Sequence, residues 1–474
     1  MKKKILKQKK IISKKDSNDQ KIFDEWKNYL TTLLQNPNLI KYWLNFFLHD
    51  QKFQNLIYQA HKTANEKQNT HIRSGPRPLI YHMILALLWL GWLDNFLVFY
   101  KFIDANNTQI FTKIVKSINA KNQKLKNKFR IADYEKFIKI CHVKYHNFLK
   151  GISAYHASRY KRNLTIPKTI TSCGTTMLLD YAPQNAGPFI LIIPSLINRA
   201  YILDLSQKQS LVRFLASKGF RPLLVDWGCP GQEEKKFTLE NYIQRLEYFL
   251  TFLNKNKSKK KLFFVLGYCM GGLLATALAI RQKERVAGLI CMATPWDFHK
   301  DQKQKDMVHT FIPIIKKIIL TCDELPVDYL QLLFSFPRPF QIIEKFIYFS
   351  TLDSLSPKAQ EFVMLEDWLN DGVPLVKSVA LECFENWYKK NQPALGKWKI
   401  GNTYINPKKL NIPALIIVPT HDYIVPPVGA VELAYQLNKA ELFKIETGHI
   451  GMITSTKMSK KLKSKLSTWI SAHI

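Results

Sequence analysis

The stretch Phe263–Ile280 reads FFVLGYCMGGLLATALAI. It opens as an aromatic and apolar run, narrows to small residues at Gly267, Gly271 and Gly272, and continues as an apolar segment rich in Leu and Ala. A strand, a tight turn and a helix are predicted in that order. Cys269 stands at the tip of the turn, with a glycine two residues before it and another two after. This is the spacing of a nucleophile elbow, a sharp turn that needs small neighbours and holds its central side chain clear of the sheet. At the start of a helix the sulfur also lies at the positive end of the helix dipole, which favours thiolate. The backbone N–H of Met270 is then a candidate oxyanion donor. Taken alone, the GxCxG pattern has another reading, an inert buried cysteine in a strand-to-helix turn.

Comparable apolar runs recur along the chain: PFILIIPSL, RPLLVDWG, VAGLICMAT and PALIIVPTHD, each ending at a turn or polar residue. Their alternation with helical patterns predicts a mostly parallel sheet with helices on both faces. The loop LIIPSLINRA supplies the second oxyanion donor around Ser195 and Leu196. Asp422 falls just beyond the strand of LIIVPTHDYIVPP, and His449 lies in a glycine-bounded loop beyond the next one, LFKIETGHIGMI. The chain order Cys269, Asp422, His449 is the order nucleophile, acid, histidine of an α/β-hydrolase. His421 is the rival base, but neighbouring residues on extended chain point in opposite directions.

About a hundred residues separate VAGLICMAT from PALIIVP, too many for a structureless loop. Trp296 to about Gly401 is therefore expected to be a helical cap inserted over the carboxyl edge of the sheet. Residues 1–20 read as a basic disordered arm, 21–163 as a helical N-terminal region, and 164–474 as the catalytic domain carrying the cap. Pro78–Leu93, PLIYHMILALLWLGWL, has no formal charge. It reads as a buried helix, with a surface facing polymer or membrane through Trp89, Leu90, Trp92 and Leu93 as one alternative and a membrane span continued past Asp94 as the other.

A formal net charge of +34 suits anionic partners such as a coenzyme A ester or an anionic surface, but no nucleic-acid-binding signature accompanies it. Seven cysteines without a CxxC pair argue against a disulfide framework or a zinc site and fit a reducing cytosol. No secretory signal follows the basic start. No cofactor or metal is expected.

GYCMGG, IIPSLINRAYILDL, LLVDWG, CMATPWDF, DYIVPP and TGHIG resemble, in this order, blocks of the polyhydroxyalkanoate synthases, and the resemblance covers roughly residues 145–474. It implies an α/β-hydrolase fold in which Cys269 carries the acyl group, His449 is the general base and Asp422 its carboxylate partner. The implied reaction polymerises (R)-3-hydroxyacyl-CoA into a storage polyester with release of CoA, at the surface of cytoplasmic granules. A homodimer and, in some members, a second synthase subunit are implied partners. Many synthases carry His directly after the loop Asp; here that position is Tyr423, and a His precedes the Asp.

The resemblance also gives the cysteine a chemical reason. Attack of a thiolate on a CoA thioester yields another thioester, so the acyl group keeps its activation and passes downhill to an alcohol. With water as acceptor, the same residues make a cysteine-dependent acyl-CoA thioesterase or polyester depolymerase. A non-catalytic granule-binding protein is the third alternative.

Overall fold

The computed structural model describes residues 73, 75–90, 131–254 and 262–474, without the side chains of 87–90 and 131–138. The basic arm, the part of the expected helical N-terminal region from 21 to 72 and the side chains of Trp89, Leu90, Trp92 and Leu93 lie outside the described residues. Those residues fall into two compact units, one comprising 160–337 with 364–474, the other 73–159 with 338–363.

The larger unit is built on an eight-stranded sheet. Its strands are β1 (Lys168–Cys173), β2 (Thr176–Asp180), β3 (Phe189–Ile193), β4 (Arg221–Asp226), β5 (Phe263–Tyr268), β6 (Val286–Met292), β7 (Ala414–Pro419) and β8 (Ala440–Ile445). The spatial order is β1-β2-β4-β3-β5-β6-β7-β8. All pairs from β4 to β8 are parallel, whereas β1–β2 and β2–β4 are antiparallel. The five apolar runs and the strand before His449 all become parallel strands. The hairpin β1–β2 is an addition that the sequence pattern did not announce.

Strands β3, β5 and β7 are buried at every position, which explains why they read as unbroken apolar runs rather than alternating ones. The helix Leu239–Asn254 is covered on one side only. Its Leu239, Tyr242, Ile243, Leu246, Phe249, Leu250 and Leu253 recur at the spacing of a single face, and all are buried. Between β6 and β7 the chain forms helices at Gln302–Cys322, Val327–Ser335, Gln341–Phe349, Pro357–Asn370 and Lys377–Glu382, the last running into a π turn at Cys383–Lys389.

One buried carboxylate organises the region after β3. Asp204 accepts from Arg213 Nε at 2.8 Å and Nη2 at 3.0 Å, from Arg162 Nη2 at 3.2 Å and from the Tyr181 hydroxyl at 3.1 Å.

In the smaller unit the helices Leu79–Leu90 and Ile131–Ala157 join Gln341–Phe349. Gly151 lets Ile131–Ala157 approach closely, since a Cβ there would collide with the Phe346 carbonyl. Phe148 and Tyr155 then meet the Phe346 ring edge-on at 6.4 and 5.7 Å. On Leu79–Leu90, His82, Leu85 and Ala86 are buried while Ile80 and Ile84 are exposed. No helix among the described residues is long and apolar enough to cross a membrane.

Candidate active site

In the sheet, β3 lies between β4 and β5, so the chain runs outward in opposite directions from this point. The carboxyl ends of strands at such a reversal form a crevice where ligands bind. The loop after β3 and the turn after β5 meet there.

Cys269 follows β5 and precedes the helix Met270–Arg281, with φ 55° and ψ −126°. Backbone this strained in a non-glycine residue costs on the order of 1–3 kcal/mol and persists only where its surroundings impose it. Here the Cys269 N–H donates to the Met292 carbonyl at 2.8 Å, and the Cys269 carbonyl accepts from the Gly272 N–H at 2.9 Å. Glycines provide the room. A Cβ at Gly271 would collide with the Ile193 carbonyl at the end of β3, and one at Gly272 with the Thr294 hydroxyl. Met270 is the first residue of the helix, where a backbone N–H has no intrahelical acceptor.

Asp422 lies in the turn after β7 with its side chain fully buried. Its Oδ1 accepts from the N–H groups of Ile424 and Val425, both at 2.9 Å. That fixes the carboxylate and turns Oδ2 toward His449, whose Nδ1 donates to it at 2.7 Å. Asp422 thereby occupies the Nδ1 side of the imidazole, and Cys269 lines the same cavity as His449. Burial opposes a charge on His449, but the Asp422 carboxylate and then Cys269 outweigh it and hold the imidazole well above its usual range. Tyr268 backs the site. Its ring lies 5.4 Å from that of His449, and its hydroxyl donates to the His449 carbonyl at 3.4 Å. His421, by contrast, is exposed, and its backbone N–H pairs with the Thr447 carbonyl at 3.0 Å.

Cys269, Tyr268 and His449 line a cavity of about 50 Å³ together with Ser195, Arg199 and Trp368. Ser195 is buried, and its hydroxyl accepts from the Ile197 N–H at 3.4 Å. Leu196 is also buried but does not contribute to the cavity lining. The loop bearing them is tied to the segment that ends the helix Pro357–Asn370. The Ile197 carbonyl accepts from Val373 N–H at 2.9 Å, and Asn198 bridges to Gly372. Trp368 Nε1 donates to the Arg199 carbonyl at 2.9 Å, and Arg199 Nε to Asp371 Oδ1 at 3.2 Å.

The other thiols are placed differently. Cys291 is fully buried within β6, and burial pushes its thiol up to about 12. Among the described residues no group of three His, Cys, Asp or Glu side chains is arranged to hold a metal. Arg199, Trp368 and Asp371 were not predicted as site residues. Arg199 stood within the quoted loop, whereas Trp368 and Asp371 lie in the insertion, where no local pattern marks them.

Residues 188–456 match the family model described as alpha/beta hydrolase fold. The chain is similar to the poly(3-hydroxyalkanoate) polymerase subunit PhaC of Haloarcula marismortui, 26% identical over 297 residues that cover 60% of this chain and 60% of the relative. The Synechocystis subunit is 25% identical over 307 residues, 62% of this chain and 81% of the relative. That of Haloferax mediterranei is 27% identical over 305 residues, 62% of this chain and 61% of the relative. The matches thus span only about 60% of the Haloarcula and Haloferax relatives' length. With its parallel sheet, its elbow and these relatives, the chain belongs to the alpha/beta hydrolase fold family, as a divergent relative of the poly(3-hydroxyalkanoate) polymerases.

Proposed function

We propose that the protein is a polyhydroxyalkanoate synthase-like acyltransferase that polymerises (R)-3-hydroxyacyl-CoA and releases CoA. The observation that carries this reading is the Asp422–His449 pair brought onto a cysteine at a strained elbow. In this reading His449 takes the proton of the Cys269 thiol, and the thiolate attacks the thioester carbonyl. The oxyanion is met by the N–H of Met270 and by a donor from the Ser195–Leu196 loop. CoA departs as its thiol with the proton from His449, leaving an acyl-cysteine. His449 then accepts the proton of the 3-hydroxyl of the next unit, whose oxygen attacks the acyl-cysteine and frees Cys269.

The cavity of about 50 Å³ is far smaller than the roughly 300–1,000 Å³ of ligand pockets, so the reading requires its lining to part when substrate enters. The proposal places the protein in the cytoplasm at a polyester granule surface, as a homodimer or with a second subunit.

The test is incubation of purified protein with (R)-3-hydroxybutyryl-CoA while free CoA and insoluble polymer are followed together. Both are expected to appear in step. CoA release with soluble hydroxyacid and no polymer would establish the hydrolase instead, because the same triad serves water as acceptor. No CoA release would overturn both.

A further inference from the structure

The cavity beside Cys269 and His449 is apolar over most of its lining, through residues such as Ile197, Phe334, Leu369 and Ile450. Apart from Cys269 and His449, its polar side chains are spent on the protein itself, with one exception. The Ser195 hydroxyl accepts from the Ile197 N–H, Arg199 Nε donates to Asp371, and Gln331 Nε2 donates to the Leu369 carbonyl at 2.9 Å. Tyr268 donates to the His449 carbonyl. The exception is Asn198. It lines the same cavity, and its Oδ1 is buried without a hydrogen-bond partner. Among the described residues that line the cavity, no other buried side-chain nitrogen or oxygen is left in this state. An unpaired buried acceptor is destabilising, because folding strips it of water and returns nothing.

The backbone around Asn198 is held firmly. Asn198 bridges to Gly372, the Ile197 carbonyl accepts from the Val373 N–H at 2.9 Å, and the Arg199 carbonyl accepts from Trp368 Nε1 at 2.9 Å. Three consecutive residues are pinned in this way, with the unpaired acceptor on the middle one. A few fixed polar groups in an apolar pocket set the orientation and specificity of its ligand. A neutral amide oxygen in apolar surroundings suits a neutral donor, and a cationic donor would meet Arg199 in the same lining.

We infer that Asn198 is a specificity residue for the acyl group, its Oδ1 accepting a hydrogen bond from the 3-hydroxyl of the hydroxyacyl thioester delivered to Cys269. The inference rests on the reading of Cys269 as the acylated thiol. Two neutral donors lie within a few bonds of the sulfur in such a thioester, the acyl 3-hydroxyl and the first amide N–H of the pantetheine arm. Only the acyl side stays in the cavity once CoA has left, so an acceptor built into the wall beside the thiol serves the group that remains. A site built to bond a hydroxyl rejects the analogue without it, because the acceptor is then left unpaired. The rejection has a use here. An acyl group without a 3-hydroxyl has no oxygen from which the next ester bond is made, and it would occupy Cys269 unproductively.

The experiment compares (R)-3-hydroxybutyryl-CoA with butyryl-CoA on the full chain, reading CoA release in the first turnover and the acyl mass on the Cys269 peptide. The unaltered protein is expected to be acylated at least about thirtyfold faster by the hydroxyacyl thioester. Asn198→Leu, close in volume and without a polar atom, should reduce that ratio to about threefold or less. Asn198→Asp keeps an acceptor on a side chain of the same shape and should retain the preference. Each ratio is taken within one protein, so any general effect on the thiol cancels. Should the leucine variant fail to fold, Asn198→Ala gives the same reading. A ratio near one in the unaltered protein overturns the inference. So does an undiminished ratio in the leucine or alanine variant, where equal losses with both thioesters would assign Asn198 to the pantetheine N–H or to structure alone. If neither thioester acylates Cys269 in the unaltered protein, the functional reading falls and the inference with it. Acylation without preference leaves the functional reading standing and removes the inference alone.

Discussion

The backbone of Cys269 is bonded to that of Met292, N–H to carbonyl at 2.8 Å, one residue beyond the end of β5. The sheet itself therefore holds Cys269, the proposed nucleophile, at positive φ, and the side chain contributes little to the fold. Cys269→Ala is expected to leave thermal unfolding nearly unchanged and to lower CoA release by several orders of magnitude, as loss of a triad nucleophile does. Cys291→Ala keeps turnover, although it opens a small void in β6. Steady-state release of CoA from both variants checks this.

His449 and His421 are separated by the same measurement. His449→Gln removes the imidazole that is bonded to Asp422 and shares a cavity with Cys269, and turnover is expected to fall by about three orders of magnitude or more. His421 is exposed, and His421→Gln should stay within about twofold of the unaltered protein. The reverse result would reassign the base.

Asp422→Asn probes the carboxylate. The amide no longer favours the Nδ1–H tautomer, and turnover is expected to drop about 10³–10⁴-fold. The pair also makes stability depend on pH. His449 is raised above its unfolded value, so its contribution is complete below about pH 6.5. It is lost as pH rises through the raised folded value. Unfolding free energies of the two proteins should therefore differ most at low pH and converge at high pH.

Asp204 tests the polar cluster after β3. Its carboxylate is fully buried between Arg213 and Arg162. Asp204→Ala leaves both cations without it and should destabilise the larger unit by about 3–5 kcal/mol. Denaturant titration reads the loss directly.

His82 predicts an acid limb for the smaller unit. Burial lowers its imidazole to about 4, against which the Arg77 carbonyl contact raises it, and its buried Nδ1 has no partner. Protonation is therefore favoured in the unfolded chain. Stability is full above about pH 6.5 and falls as pH drops toward 4, by on the order of 3 kcal/mol. His82→Phe should flatten that slope in a series of melting curves.

The parallel strands were legible because strands buried on both faces leave continuous apolar runs, each closed by a turn residue. Cys269, Asp422 and His449 were legible for a related reason: each sits in the few residues after a strand, where order along the chain maps onto place at the sheet edge. Hairpin β1–β2 was not, since β1 is largely exposed and its polar run KTITSC carries no apolar signature. Trp368 and Asp371 were hidden for another cause. Their partner Arg199 lies 169 and 172 residues away, and no local window of sequence contains that relationship. The apolar run Pro78–Leu93 is a helix to Leu90, with Ile80 and Ile84 outward and His82 and Leu85 inward, so composition without periodicity left its orientation undetermined.

The ties from Ile197, Asn198 and Arg199 to Trp368, Asp371, Gly372 and Val373 carry a consequence for recombination between relatives. Two stretches some 170 residues apart in the chain share backbone bonds, an indole and an ion pair, so neither is an independent module. A chimera that imports only the later stretch brings a backbone whose donors and acceptors were matched to a different loop, and the mismatch is delivered at the edge of the cavity beside Cys269. Exchanged together, the two stretches form one inheritable block; exchanged singly, they break at their seam.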